Sequence, residues 1–159
     1  MIEKTLVLLK PDAVQRALIG TVITRFENTG LKIVGMKMIW IDEKFSKKHY
    51  SAHVGKDFYP GLEKMIIEGP VIAMVIEGLH AVELVRKIVG STEPRTAQPG
   101  TIRADFAQHS YAYTDPKGKA IKNLVHASGN LEEAKYEIDL WFKPEEIHTY
   151  KTVHDIHVL

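Results

Sequence analysis

The segment that most constrains the fold of this chain is residues 70–76, which are apolar almost throughout. A strand with one solvated face alternates apolar and polar side chains, whereas a continuous apolar strand is typical of a sheet covered on both faces. The segment therefore predicts a central strand with other elements packed against it. Three further strands are predicted, at 5–9, 31–41 and 120–125.

Between these strands the apolar residues recur at helical spacing, and typical cap residues stand at the ends of the helical stretches. Gly90 suits a C-terminal cap, and Asn130 suits an N-terminal cap with Glu133 three residues further on. Helices are predicted at 18–26, 45–53, 61–67, 81–89 and 130–140. Loops are predicted at 91–100 and 108–119, and a turn at 10–12.

The order of these elements is β-α-β, then extra helices, then β-α-β. This is the ferredoxin-like split βαβ pattern, which belongs to the α/β class. We expect an α+β sandwich in which helices cover a four-stranded antiparallel sheet. The 159 residues suffice for one core, and neither a repeat nor a linker divides them, so we expect a single domain over 1–159.

Charge and cysteine content exclude several functional classes. The 21 basic and 20 acidic residues nearly balance, so we expect neither a stable nucleic-acid partner nor a membrane surface as partner. The absence of cysteine excludes disulfides, thiolate zinc sites and cysteine nucleophiles. The first residues lack a signal-peptide pattern, and no apolar run approaches the about 18 residues of a membrane-spanning helix. We therefore expect a cytoplasmic protein.

His126 is the side chain that points most directly to chemistry. It follows two apolar residues at the predicted end of the last strand, and a neutral imidazole can accept a group covalently and pass it on. Lys10, Arg86 and Arg103 lie near the ends of other elements, and an imidazole beside such cations is suited to attack a phosphate. Neither common glycine-rich phosphate loop occurs in the chain, so separate side chains would have to hold the phosphates.

Each of these residues also has a purely structural explanation. An isolated basic residue is usually a solvated surface charge, and a histidine beside apolar residues is more often a hydrogen-bonded core residue than a nucleophile. His49 and His53, four residues apart, are best explained as surface histidines without a third metal ligand. Phe58 lies in an aromatic turn, where packing in the core is the default and stacking on a base is the alternative.

Taken together, these segments resemble the motifs of nucleoside diphosphate kinases, in the same order and nearly from end to end of the chain. The segments that carry the resemblance are 5–13, 58–62, 69–71, 99–103, 123–128 and 140–142. The ordered set is far more specific than any single motif. The resemblance implies transfer of the γ-phosphate of a nucleoside triphosphate to a nucleoside diphosphate, through a phosphohistidine and with ping-pong kinetics.

The resemblance also implies roles for particular residues. By motif position His126 is the nucleophile, Glu137 is the carboxylate bonded to its other ring nitrogen, and Ser128 lies near both. Phe58 is the aromatic residue that stacks on the base, which implies poor discrimination among bases. The complete set of nucleotide-binding residues implied in this way is Lys10, Tyr50, Phe58, Arg86, Thr92, Arg103 and Asn123.

Cofactor and partners follow from the same resemblance. Nucleoside di- and triphosphates are the implied ligands. Mg²⁺ is implied as the cofactor, carried by the nucleotide phosphates and not by protein side chains. A homo-oligomer is implied, with a hexamer as the first expectation and a tetramer as the second.

The chain departs from the usual family pattern in two places. The common run Gly-Ser-Asp-Ser after the histidine is replaced by Ala127-Ser128-Gly129-Asn130, which removes an aspartate. The stretch 107–122 is several residues longer than in compact members, as in archaeal-type ones, and we expect a surface loop near the site. Because Gly129 lacks the carboxylate of the usual aspartate, the chain could alternatively be a regulatory module that binds nucleotides without useful turnover. A nucleic-acid-binding protein is a third alternative, which the near-neutral charge disfavours.

Overall fold

The computed structural model describes all 159 residues and contains one four-stranded antiparallel sheet. Its strands are β1 (Ile2–Leu9), β2 (Lys32–Ile39), β3 (Val71–Leu79) and β4 (Val125–Ala127), in the spatial order β2-β3-β1-β4. The helices are α1 (Pro11–Gln15), α2 (Ile19–Glu27), α3 (Glu43–His49), α4 (Tyr59–Ile66), α5 (Ala81–Val89), α6 (Ile102–Phe106), α7 (Tyr111–Thr114), α8 (Leu131–Trp141) and α9 (Val153–His157). This topology confirms the predicted ferredoxin-like class.

Both faces of the sheet are covered, and β1 shows how. Successive side chains of a strand point to opposite faces, so Val7 and Leu9 join one core with α2, α5 and α6, whereas Leu6 and Leu8 join another that includes Trp141 of α8. The four β1 side chains are completely buried. The central strands can therefore be apolar at nearly every position, as the sequence predicts for β3.

The sheet register brings one short strand to the edge of a long central pair. β1 and β3 pair along their whole lengths, from Ile2 opposite Leu79 to Leu9 opposite Ile72. β4 pairs only with the second half of β1, and His126 lies opposite Leu8. The backbone of the predicted nucleophile is therefore fixed by a strand that is itself buried on both faces.

Helix caps form where the sequence places capping residues. Asn130 accepts a hydrogen bond from the backbone N–H of Glu133 at 2.9 Å, which confirms the predicted start of α8. Asp42 caps α3 in the same way, at 2.7 Å from the N–H of Phe45. No helix combines the length and the apolar composition needed to cross a membrane.

The structure corrects four predictions of local structure. The last strand is not at 120–125: β4 begins at residue 125, because Leu124 has φ +70° and interrupts the extended backbone. The predicted turn at 10–12 begins α1, with Pro11 as its first residue. The predicted helix at 45–53 ends at His49, and the predicted loop at 108–119 contains α7 and a 3₁₀ turn.

Candidate active site

A cleft brings most of the predicted site residues together. It is lined by residues of β4, α5 and α6 and of the connection between α3 and α4. The predicted residues that line it are Lys10, Tyr50, Phe58, Arg86, Thr92, Arg103, Asn123 and His126. Glu137 and Ser128 lie behind the imidazole. The cations therefore converge on one cavity, which argues against the explanation that each is a separate surface charge.

His126 has one ring nitrogen engaged and one free. Its Nε2 donates a hydrogen bond to Oε1 of Glu137 at 2.8 Å. Because an ionised carboxylate can only accept, this bond holds the proton on Nε2 and leaves the lone pair of the neutral ring on Nδ1. The side chain is 22% exposed and borders the cleft. The imidazole is therefore arranged to react through Nδ1.

A buried chain of hydrogen bonds fixes Glu137. Its second oxygen, Oε2, accepts from the hydroxyl of Ser128 at 2.6 Å, and that hydroxyl accepts from the backbone N–H of Leu6 at 3.2 Å. Glu137 and Ser128 are both buried. Since both carboxylate oxygens are bonded, the position of the imidazole is tied through two side chains to the backbone of β1.

His49 lies directly behind the imidazole, so its assignment as a surface histidine is wrong. It is buried, its ring packs edge-on against the His126 ring at 4.7 Å, and its Nδ1 accepts from the indole N–H of Trp141 at 3.1 Å. Burial lowers the pKa of His49 well below its ordinary value, so the ring is neutral. Because α3 ends at His49, His53 lies beyond the helix and does not share a helix face with His49. Its ring lines the cleft instead.

His49, His126 and Glu137 place ligand atoms within 4.8 Å of one another, as residues around a metal ion do. Here, however, the atoms are engaged. Glu137 accepts from the imidazole and from Ser128, and His49 Nδ1 accepts from Trp141. Hydrogen bonding accounts for this grouping.

A strained turn precedes β4. Leu124 has φ +70°, and the N–H of Val125 donates to the carbonyl of Asn123 at 2.8 Å, which makes a γ-turn. Asp12 accepts from the N–H of Leu124 at 3.1 Å, and Arg103 donates to the carbonyls of Asn123 at 3.2 Å and Val125 at 2.5 Å. Two charged side chains therefore hold a backbone conformation that is costly for leucine. The sequence gives no sign of this role for Asp12 beyond its place after Lys10.

Lys10 is a buried cation at the end of β1. Its Nζ donates to Oδ1 of Asn123, whose amide nitrogen donates to the Thr92 carbonyl at 2.7 Å. Burial lowers the pKa of Lys10 to about 8, while the negative charge of Asp12 raises it and the positive charge of Arg103 lowers it. The charge of Lys10 at neutral pH therefore depends in part on Asp12.

Arg103 and Arg86 approach each other at one end of the cleft. Arg103 lies on α6 and not on a loop, because Thr101 caps that helix, and its Nη1 donates to the Gly90 carbonyl at 2.9 Å. Burial and the charge of Arg86 lower the pKa of Arg103 to about 10. Two guanidinium groups that repel each other across a cavity are suited to bind a phosphate group between them.

The cleft also carries an exposed aromatic ring. Phe58 is 55% exposed and lies 5.5 Å from the ring of His53, with Nζ of Lys56 5.8 Å from its centroid. Core packing therefore does not explain this residue. Tyr50, in contrast, is buried 6.4 Å from the imidazole, and burial raises the pKa of its hydroxyl, which stays neutral.

The sequence model of the nucleoside diphosphate kinase family matches residues 3–147. This chain belongs to that family. It is 54% identical over 149 residues to the nucleoside diphosphate kinase of Pyrococcus furiosus, covering 94% of this chain and 88% of that protein. It is 51% identical over 149 residues to that of Thermococcus kodakarensis, covering 94% and 82%.

Solved structures of the family agree with this assignment. The nucleoside diphosphate kinase of Borrelia burgdorferi, described as a transition-state mimic with bound vanadate and ADP, superposes with a TM-score of 0.93 at 46% identity, covering 97% of this chain and 95% of that one. A halophilic enzyme from Halobacterium salinarum, in complex with CDP, gives 0.87 at 40% identity over 98% and 97%. The resemblance inferred from sequence motifs is confirmed.

The function of the chain is accordingly that of a nucleoside diphosphate kinase, a phosphotransferase that moves the γ-phosphate of a nucleoside triphosphate to a nucleoside diphosphate. This function replaces the two alternatives that the sequence left open. Those were a regulatory module without turnover and a nucleic-acid-binding protein.

The departure at Gly129 leaves the turn before α8 intact. The N–H of Gly129 donates to Oε2 of Glu133 at 2.9 Å. A Cβ added at Gly129 would lie 2.6 Å from the same oxygen, which is the free end of a flexible side chain. Glu133 therefore places a carboxylate beside the position where the family pattern has an aspartate.

The longer stretch 107–122 lies beside the cleft, as predicted, but it is structured. Residues of this stretch that line the cleft include Tyr111, Asp115 and Lys119. Together with Asp12, His49 and His53, they are site residues that the sequence did not indicate, because only the fold brings them to the cleft and to the imidazole.

Proposed function

We propose that His126 carries the phosphoryl group in the reaction of this nucleoside diphosphate kinase. In the first half-reaction the Nδ1 lone pair attacks the γ-phosphorus, and the bond from that phosphorus to the bridging oxygen breaks. The nucleoside diphosphate leaves with the bridging oxygen. In the second half-reaction a terminal oxygen of another nucleoside diphosphate attacks the phosphorus, and the N–P bond breaks to restore the neutral imidazole.

The observation that supports this role is the 2.8 Å bond from Nε2 to Glu137 in a ring that lines the cleft. While Nδ1 bonds to phosphorus, positive charge develops on the ring, and the carboxylate stabilises it through the Nε2 proton. Ser128 holds the carboxylate in place. The same ring geometry serves both half-reactions, so one nucleotide pocket is sufficient.

The nucleotide lies with its phosphates toward His126 and its base toward Phe58. The phosphates are bound by Arg86, Thr92 and Arg103. Arg103 still has N–H donors that are not used within the protein. A guanidinium has five N–H donors, and three of those on Arg103 go to backbone carbonyls. The similar structure from Borrelia burgdorferi has bound ADP, and the one from Halobacterium salinarum is in complex with CDP. Both ligands support the proposal that a nucleotide binds in this cleft.

The remaining cleft residues complete the pocket. Lys10 and Asn123, which are hydrogen-bonded to each other, contact the transferring phosphate and the ribose hydroxyls. Tyr50 lines the phosphate side, and Phe58 stacks on the base. Since a π-face is common to all bases, this contact is tolerant of base identity.

Mg²⁺ enters with the nucleotide. The charged side chains that line the cleft are one carboxylate, Asp115, and four cations, Lys10, Arg86, Arg103 and Lys119. This donor set fits a phosphate-bound Mg²⁺ better than an ion caged by protein, since Mg²⁺ prefers several oxygen ligands. When bound, the ion neutralises phosphate charge and leaves the side chains to position the nucleotide.

We also propose that the chain acts as a single domain over 1–159 in the cytoplasm and assembles into a homo-oligomer, a hexamer before a tetramer. Strand β2 lies at the edge of the sheet. It exposes Met36 and Met38, and Trp40 follows it with 66% exposure. Apolar side chains on an unpaired edge support self-association. Light scattering of the purified protein gives the subunit number.

The test of the catalytic role is self-labelling. We expect incubation with γ-labelled ATP, without an acceptor, to label the chain. The label should survive a denaturing gel at alkaline pH, disappear on brief acid treatment and transfer to added GDP. His126→Ala should abolish labelling and transfer while ADP binding persists within about twofold, since only the nucleophile is removed.

His53→Ala provides the matched control, because His53 is another histidine of the same cleft. This variant should still accept the label. Labelling of the His126→Ala variant at the wild-type level would contradict the proposed role.

A further inference from the structure

The inserted stretch 107–122 forms a wall of the nucleotide cleft that follows from no family motif. Tyr111 of α7, Asp115 and Lys119 all line the cavity that holds His126. An exposed loop contributes little to a binding site unless the body of the protein fixes it in place. The contacts that anchor this stretch therefore decide whether it can bind a ligand.

The first anchor ties the stretch to the loop that carries Thr92. The carboxylate of Glu93 accepts a hydrogen bond from the backbone N–H of Tyr111 at 3.1 Å, and the N–H of Arg95 donates to the carbonyl of His109 at 3.3 Å. Glu93 directly follows Thr92 in the chain. The backbone of Tyr111 is thus held beside a residue that we place at the phosphates.

Two more anchors close the stretch on itself and on α4. The N–H of Lys122 donates to Nδ1 of His109 at 3.1 Å, which joins the two ends. A Cβ at Gly61 would lie only 3.1 Å from the carbonyl oxygen of Gly118, so the backbone packs closely on the first turn of α4. Thr114, the last residue of α7, is completely buried. The stretch is therefore a fixed part of the fold.

Tyr111 lies at the phosphate end of this wall. It lines the cleft together with Arg86, Thr92 and Arg103. Tyr111 and Arg103 are close enough neighbours that the negative charge of an ionised Tyr111 phenol raises the pKa of the guanidinium. Tyr113, two residues further on in α7, does not line the cleft, and Nζ of Lys117 lies 3.4 Å from its ring centroid.

We propose that Tyr111 is a further nucleotide-binding residue, whose hydroxyl donates a hydrogen bond to a phosphate oxygen of the nucleotide beside Arg103. This inference rests on the proposed function for the direction in which the nucleotide lies. A hydroxyl adds a donor at a site already crowded with positive charge, without the repulsion that a third guanidinium would bring. The inserted stretch thereby strengthens phosphate binding and leaves the choice of base unaffected.

The test compares Tyr111→Phe with Tyr113→Phe. Each variant removes one hydroxyl from the same helix, and only the first removes it from the cleft. We expect isothermal titration of the unphosphorylated enzyme to give a Kd for Tyr111→Phe raised about tenfold, as for a hydrogen bond to a charged group. The factor should be the same for ADP, GDP and CDP, and Tyr113→Phe should bind all three like the wild type.

Unchanged affinity in Tyr111→Phe would overturn the proposal, and so would a loss confined to one base, because the hydroxyl would then contact the base. Tyr111→Phe should still become labelled by saturating γ-labelled ATP. Loss of labelling with unchanged ADP affinity would also overturn the binding role. Failure of the wild type to label would instead count against the proposed function of His126, since ADP binding is measured separately.

Discussion

Two parts of the cleft are built in opposite ways: the reacting end, around His126, and the base end, around Phe58. At the reacting end, His126 is bonded to Glu137, Glu137 to Ser128, and Ser128 to the backbone of β1, and only the imidazole has appreciable exposure in this chain of bonds. At the base end, the ring of Phe58 is half exposed beside another partly exposed ring, His53. Polar groups are fixed at the end where we propose that phosphorus changes partners, and an apolar face is open at the end where we propose that the base binds.

This difference matches what each end must do. Phosphoryl transfer needs a nucleophile and charged donors already in place, because reorganisation during the reaction would cost free energy. If the base is held by stacking alone, as we propose, donors and acceptors fixed at the base edge are not needed. The inserted stretch borders both parts of the cleft, since Tyr111 lines it together with the arginines and the Gly118 backbone packs against Gly61, three residues after Phe58.

Breaking the reacting end should have the largest effect. Glu137→Ala removes the partner of Nε2 and leaves the Ser128 hydroxyl with only the longer bond to the Leu6 carbonyl, at 3.4 Å, so we expect kcat to fall by about 10²–10³-fold. Glu137→Gln retains an oxygen that can accept from Nε2 and should lose less. Steady-state assays with GDP as acceptor measure both. Glu132→Ala, which removes an exposed carboxylate from the same helix, is the control, and a kcat within threefold of wild type for Glu137→Ala would refute the comparison.

A second experiment tests how the buried charges of Lys10 and Asp12 contribute at the reacting end. Lys10 is protonated below its pKa of about 8, so kcat/KM should fall as the pH rises through that value. Asp12→Asn keeps an oxygen for the Leu124 N–H but removes the charge that raises the Lys10 pKa. The alkaline limb should therefore move to lower pH. If the Lys10 pKa falls by about one pH unit, kcat/KM on that limb falls about tenfold.

The groups that face Lys10 in this experiment are Asp12, Arg103 and His49, and only the first is changed. The pH profile of kcat/KM locates the alkaline limb in each variant, with Asp139→Asn on the surface side of α8 as control. If the alkaline limb of Asp12→Asn lies at the same pH as that of the wild type, Asp12 acts only on the γ-turn and not on the pKa of Lys10.

The smallest effect should come from the base end. Phe58→Ala removes a stacking surface that is already half solvated, so we expect KM to rise about fivefold, at the lower limit for stacking on an aromatic side chain. The increase should be similar for adenine, guanine and cytosine nucleotides, with kcat within twofold. An increase of KM for nucleotides of one base only would show that the base end discriminates among bases. Leu62→Ala, which removes a neighbouring apolar side chain of the cleft, tests whether any loss of apolar surface there has the same result.

Sequence patterns predicted the fold where local and tertiary preferences agree. The apolar run of β3 and the Asn130 cap of α8 fall where they were expected, because burial on both faces and side-chain capping each leave a pattern of residue types. The pattern failed at 120–125, where four apolar residues of six suggest a strand but two charged side chains hold Leu124 in a γ-turn with positive φ. It failed for His49 too, since nothing in its neighbours marks it as buried.

By itself, the sequence determined the class of fold, the family and most of the polar residues that converge on the cleft, because ordered motifs retain the residue types that a phosphohistidine reaction requires. Only the tertiary structure decided which nitrogen of His126 is free, that Asp12 and Arg103 hold the strained turn, and that the inserted stretch is a wall of the site. These facts depend on distances between residues far apart in the chain. Spacing along the sequence carries no information about such distances, whereas packing around the sheet sets them.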